Sequence, residues 1–165
     1  MVGGEDHRCA QNGGIDPSAI ARAALHDIAT RSLDQGGSTI TQQVAKNLFF
    51  TQEKRFARKA AEVFMAFHLE RACTKDEILE LYVNTIYFGD GYYGIHAACA
   101  GYFGKEPAAM TPYEATLMAG IPNAPSVYSL TANPDLAAQR QHYVTRQLVK
   151  YGYLTAAEGE AVSAE

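Results

Sequence analysis

Glu62 stands in the most apolar stretch of the chain, Ala60-Ala61-Glu62-Val63-Phe64-Met65-Ala66-Phe67. A carboxylate placed there is costly unless it is paired or hydrogen-bonded. Lys59 and Arg58 precede it at the i−3 and i−4 spacings that bring helical side chains together. Taken alone, that pattern reads more readily as a structural ion pair than as a catalytic group. Glu5-Asp6 is a second carboxylate cluster, in a glycine-rich opening. Two separated carboxyl groups across a cleft suit acetal chemistry at a sugar, one managing a proton and the other stabilising charge or assisting the leaving group. By itself, though, an acidic pair in a loop is ordinarily just solvated. Lys46, Lys54, Arg55, Arg58 and Lys59 cluster in sequence. They would suit a phosphate or pyrophosphate leaving group, whose departure builds negative charge; the alternative is solvated helix faces. The remaining polar concentration is Gly36-Gly37-Ser38-Thr39-Ile40-Thr41-Gln42-Gln43-Val44-Ala45-Lys46-Asn47. From physical chemistry alone it is equally a ligand wall or a capped surface helix.

The elements that must hold these groups are helices. Thr39 with Gln42 fits a capping box, so a helix should start at Ser38 or Thr39 and reach about Phe50. Asp16-Pro17 predicts an earlier helix running to about Leu33. Glu53 to Ala72 reads as one long, largely buried helix with Phe56, Ala60, Val63 and Phe67 facing inward. Thr74 with Glu77, Thr111-Pro112 with Glu114, Asn133-Pro134, and Thr155 with Glu158 open further helices. The run Phe88-Gly89-Asp90-Gly91-Tyr92-Tyr93-Gly94 predicts a tight loop with aromatic walls, followed by a small-residue helix. No stretch alternates at period two long enough to be a strand. The expected fold class is all-α, mainly helical, with about eight helices around one core.

The 165 residues suffice for one domain, with hydrophobic and charged fractions of 47% and 19% typical of a globular chain. A net charge of −4 argues against nucleic acid as a partner. Cys9, Cys73 and Cys99 form no CxxC pair, and the five histidines show no HxxxH or HExxH spacing. Free thiols are therefore expected, and no structural metal site. No Walker-type or GxGxxG loop points to a nucleotide. No apolar run approaches the roughly 20 residues that span a bilayer.

Five stretches, in order, resemble the motifs of the peptidoglycan glycosyltransferases, glycosyltransferase family 51. They are Glu5-Asp6-His7-Arg8, Gly36 to Asn47, Arg58-Lys59-Ala60-Ala61-Glu62, Lys75-Asp76-Glu77-Ile78-Leu79-Glu80-Leu81-Tyr82-Val83-Asn84, and Gly101-Tyr102-Phe103-Gly104-Lys105. This family occurs as monofunctional transglycosylases and as the N-terminal domain of class A penicillin-binding proteins. The resemblance implies a lysozyme-like single domain over residues 1–165 that polymerises lipid II onto a growing glycan strand. It also implies work at the membrane surface, on the outer face of the bacterial cytoplasmic membrane, beside other cell-wall synthesis proteins. By the same resemblance, Glu5 is the general base on the acceptor 4-hydroxyl, and Glu62 assists at the pyrophosphate or orders the site. Lys46, Arg58 and Lys59 would contact pyrophosphate. Ser38, Thr39, Gln42, Gln43 and Asn84 would hold sugars and phosphates. A divalent cation, Mg or Mn, is implied beside the pyrophosphate, with no ligands assigned and no organic cofactor.

Two positions depart from the family pattern: Cys9 stands where an aromatic residue is usual, and Asn12 where a histidine is. The expected anchor and lead-in segment before the first motif are also missing, so the expectation is a domain without its N-terminal anchor. Two alternatives stay open. One is a muramidase-type hydrolase on the same fold, with water as nucleophile; the basic cluster argues against it. The other is a non-catalytic remnant that binds lipid II.

Overall fold

A computed structural model of the chain describes residues 9, 11–14, 16–18, 38–49 and 56–164; the side chains of 49 and 56–60 are outside that set. Among the described residues there are seven α-helices: α1 (Ile40–Phe49), α2 (Phe56–Ala72), α3 (Lys75–Thr85), α4 (Ile95–Phe103), α5 (Pro112–Gly120), α6 (Pro134–Lys150) and α7 (Ala156–Ser163). Two short 3₁₀ turns, Pro107–Ala109 and Ile121–Asn123, flank α5. An isolated Tyr87–Tyr93 bridge is the β-type pairing seen. The all-α class expected from the patterning is the class observed. Of the helix expected after Asp16, only Pro17 and Ser18 are described, and both are helical. The Asp16 carboxylate accepts from the Ser18 backbone N–H at 3.0 Å, as an N-cap should.

The chain divides into two compact units, Arg8–Tyr82 and Met1–His7 with Val83–Glu165. In the first, α1 begins on the expected capping box. The Gln42 N–H donates to Thr39 Oγ1 at 3.2 Å, and the Thr39 N–H donates to Gln42 Oε1 at 3.1 Å. Ile40, Val44 and Ala45 of α1 are fully buried, and α1 packs on α2.

The buried face of α2 differs from the expected stripe. It runs through Glu62 and Ala66, whereas Phe64 and Phe67 are 63% and 48% exposed. Val63 is half-buried. Glu62 and Ala66 lie four residues apart on one helix face. Ala66 carries no bulk, so a neighbouring backbone comes close: a Cβ on Gly14 would lie 3.2 Å from its carbonyl oxygen. An inward phenylalanine would prevent that approach, and the large rings turn outward instead.

In the second unit, residues 86–94 fold back on themselves. Gly94 N–H donates to the Ile86 carbonyl, Phe88 N–H to the Tyr92 carbonyl and Tyr92 N–H to the Gly89 carbonyl, all at 2.9 Å. Gly94 has φ 79°, and a Cβ there would fall 2.5 Å from the Asn84 carbonyl oxygen. Asp90, also left-handed at φ 51°, accepts from the hydroxyls of Ser129 and Thr131. Those hydrogen bonds, Thr131 first, hold its carboxyl below the usual range. Tyr102 donates to the Phe88 carbonyl at 2.9 Å. Burial, then the Asp90 carboxylate, pushes its phenol well above the usual value. Helices α5, α6 and α7 pack together around Gln141, whose Nε2 reaches Thr116 at 2.9 Å, Thr145 at 3.1 Å and the Val162 carbonyl at 3.3 Å.

Candidate active site

The residues expected to meet substrate divide by their surroundings. Thr39 is 2% exposed and its hydroxyl is engaged twice, accepting from the Gln42 N–H and donating to the Gly14 carbonyl at 2.7 Å. Gln42 is 1% exposed; its Oε1 serves the cap, while its buried Nε2 has no acceptor among the described residues. Half-buried Gln43 accepts from the Tyr82 hydroxyl at 3.1 Å through Oε1. Ser38 is half-buried and Lys46, in the last turn of α1, is exposed.

Glu62 is 2% exposed, at the centre of α2 and on a helix that packs against α1. The fold therefore brings the polar run of α1 and the Glu62 helix together. Asn84 is exposed near the end of α3, in the other unit. Glu5 and the Gly36-Gly37 hinge lie outside the described residues, as do the side chains of Arg58 and Lys59. Their roles rest on the sequence.

A cluster to which the sequence assigned no role joins α1, α2 and α3 to the 12–14 segment. The Glu70 carboxylate accepts from the Thr41 hydroxyl at 2.5 Å and from Lys75 at 2.6 and 2.7 Å. Lys75 Nζ also donates to the Asn12 carbonyl at 2.7 Å. Gly14 sits against the same carboxylate side chain with φ 88°, where a Cβ would lie 2.7 Å from Glu70 Cγ. Two backbone carbonyls of the 12–14 segment, those of Asn12 and Gly14, are thus held by side chains of Lys75 and Thr39. The sequence does carry one signal for this cluster. Lys75 is a cation in the first turn of α3, the end where the helix macrodipole favours anions.

Among the described residues no group of three or more His, Cys, Asp or Glu side chains is placed to hold a metal ion. No described helix is long and apolar enough to cross a membrane.

Comparisons with known proteins identify the family. A family profile described as Transglycosylase matches residues 1–149. Penicillin-binding protein 1F of Bacillus subtilis is 45% identical over 161 residues, 98% of this chain and 22% of that protein. Penicillin-binding protein 1A of Vibrio cholerae is 43% identical over the whole chain, again matching only 20% of the relative. The chain thus spans about a fifth of the length of these curated relatives. A crystal structure of penicillin-binding protein 1A from Haemophilus influenzae superposes with a TM-score of 0.53 at 27% identity, covering 77% of this chain and 16% of that one.

Proposed function

The chain belongs to the transglycosylase family, and from that premise we propose that it is a peptidoglycan glycosyltransferase domain that polymerises lipid II. The 4-hydroxyl of the acceptor's N-acetylglucosamine attacks C1 of the N-acetylmuramic acid on the growing strand. The Glu5 carboxylate takes the hydroxyl proton as the new C–O bond forms. The C1–oxygen bond to pyrophosphate breaks with inversion, and undecaprenyl pyrophosphate leaves with the electron pair. Lys46, Arg58 and Lys59 offset the charge that builds on the departing phosphates. Glu62 orders that end of the site or assists the leaving group, and Ser38, Gln43 and Asn84 hold sugars and phosphates. Thr39 and Gln42 serve the same wall by fixing the start of α1. The Mg or Mn ion that the family implies finds no ligand set among the described residues, and no step here runs through it. The reading places the domain at the outer face of the cytoplasmic membrane, where the lipid carrier lies.

The observation that supports this reading furthest is the burial of Glu62, 2% exposed, on a helix packed against the one that begins at the Thr39–Gln42 box. A buried carboxylate beside a polar helix fits the pyrophosphate end of such a site, and a solvated surface helix would offer none. The test is incubation of the purified chain with lipid II and a divalent cation, beside Glu5→Gln. Glycan polymer from the parent and none from the variant is the expected result. Binding without polymer would sink the proposal in favour of a binding remnant, and shortening of finished peptidoglycan would favour a hydrolase.

A further inference from the structure

Tyr82 is the largest fully buried side chain among the described residues, and Ile78, one turn earlier on α3, is buried with it. A buried phenol needs a hydrogen-bond partner, whereas a phenylalanine would fill the same space without one. The Tyr82 hydroxyl donates to Gln43 Oε1 at 3.1 Å, 39 residues away in sequence. Gln43 is half-buried on α1, within the same compact unit as Tyr82. A carboxamide has one oxygen and one NH₂ group, so holding the oxygen against the phenol turns both N–H donors away from it. Those donors have no acceptor among the described residues. The neighbouring Gln42 differs, since it is 1% exposed and its Oε1 is engaged by the Thr39 N–H. Lys46 follows Gln43 at the i+3 spacing that puts two side chains on one helix face, and it is exposed. That face of α1 therefore offers N–H donors from an amide and an ammonium together, which suits an anion.

We propose that Tyr82 is a positioning residue for substrate: its phenol sets which end of the Gln43 amide faces outward, so that Gln43 joins Lys46 as a donor to the pyrophosphate oxygens of lipid II. The proposal rests on the reading of the chain as a lipid II polymerase and of Gln43 as a ligand contact. Without the phenol, the amide is free to rotate and to turn its oxygen toward a phosphate, where two acceptors meet and no hydrogen bond forms.

The test compares Tyr82→Phe, Gln43→Ala, Gln43→Glu and the Tyr82→Phe/Gln43→Ala pair with the parent. Binding of fluorescently labelled lipid II and polymerisation are both measured, at a temperature where circular dichroism shows each chain fully folded. Tyr82→Phe should raise Kd and KM together by about 3- to 10-fold, with kcat little changed, because the phosphates carry their charge before the reaction as well as during it. In the Gln43→Ala background, Tyr82→Phe should have no further effect, since the phenol acts through that amide. Gln43→Glu can still accept from Tyr82 but presents an anion where the NH₂ stood, so it should bind more weakly than Gln43→Ala. A folded Tyr82→Phe with parental Kd and KM overturns the proposal, as does an equal effect of Tyr82→Phe with and without Gln43. If Tyr82→Phe does not fold, the Gln43 pair decides, and Gln43→Glu binding as well as Gln43→Ala overturns the outward donor. If Gln43→Ala binds and polymerises as the parent does, this proposal fails while the polymerase reading stands. If the parent binds lipid II without polymerising it, the polymerase reading fails and Tyr82 is judged on Kd alone. A parent that does not bind lipid II overturns both.

Discussion

Thr39→Ala separates a scaffold role from a ligand role at the start of α1. The substitution removes one hydroxyl and with it two hydrogen bonds, the cap to the Gln42 N–H at 3.2 Å and the link to the Gly14 carbonyl at 2.7 Å. Loss of a threonine N-cap costs about 0.5–2 kcal/mol. A buried carbonyl left without its donor costs about 1–3 kcal/mol. Because both losses share one group they do not simply add, and a combined ~2–4 kcal/mol is the working figure. For a chain of this size that corresponds to a fall in Tm on the order of 10 °C. Thr39→Ser keeps the hydroxyl and loses only a methyl, worth about 0.8 kcal/mol, so it should melt within a few degrees of the parent. Thermal unfolding followed by circular dichroism reads the difference, with lipid II polymerisation measured on the same samples. A Thr39→Ala chain that keeps the parental Tm but no longer polymerises would refute the reasoning, because the hydroxyl would then be meeting ligand and not the Gly14 loop.

Glu62→Gln should abolish most polymerisation while moving Tm little; a large drop in Tm with activity lost only in proportion would mark Glu62 as an ion-pair member alone. Gly101→Ala places a Cβ 2.2 Å from Tyr92 Cζ, so it should destabilise by about 1–3 kcal/mol in chemical denaturation, and adding Tyr92→Leu should recover part of that loss. The capping glutamates Glu77, Glu114 and Glu158 all titrate below the ordinary 4.5. For Glu77 and Glu158 the leading cause is the hydrogen bond from the cap backbone; for Glu114 it is Lys105. With folded values depressed, their contribution is whole above the unfolded value and is lost as pH falls through the folded ones. Tm should therefore drop as the pH is lowered from about 5 to 3, and Glu158→Gln should flatten that fall; an unchanged acid limb would contradict the assignment.

Local signals were legible where one turn of chain contains the whole interaction. The Thr-x-x-Glu pairs at Thr74, Thr111 and Thr155, and the Thr39–Gln42 pair, each form the reciprocal bonds that their spacing predicts. Asn133 shows the limit: α6 starts after it with Pro134 at its first position, but its side chain makes no cap. The α2 face was misread because hydrophobicity points to the phenylalanines, while packing against close backbone selects Ala66. Burial of Glu62 was legible from its neighbours; the Lys75–Glu70–Thr41 clamp was not. Its partners stand 5, 29 and 63 residues apart, and no local pattern records which carbonyl a lysine will reach. The Asp90–Ser129–Thr131 cluster is hidden for the same reason, spanning 39 to 41 residues.

The central claim is that this chain joins sugars by expelling a lipid pyrophosphate. The most direct measurement counts undecaprenyl pyrophosphate released against glycosidic bonds formed in one lipid II reaction. One carrier released for each new bond, with neither product from Glu5→Gln, is the predicted result. Lipid II retained intact, or sugar released to water without new bonds, would contradict it.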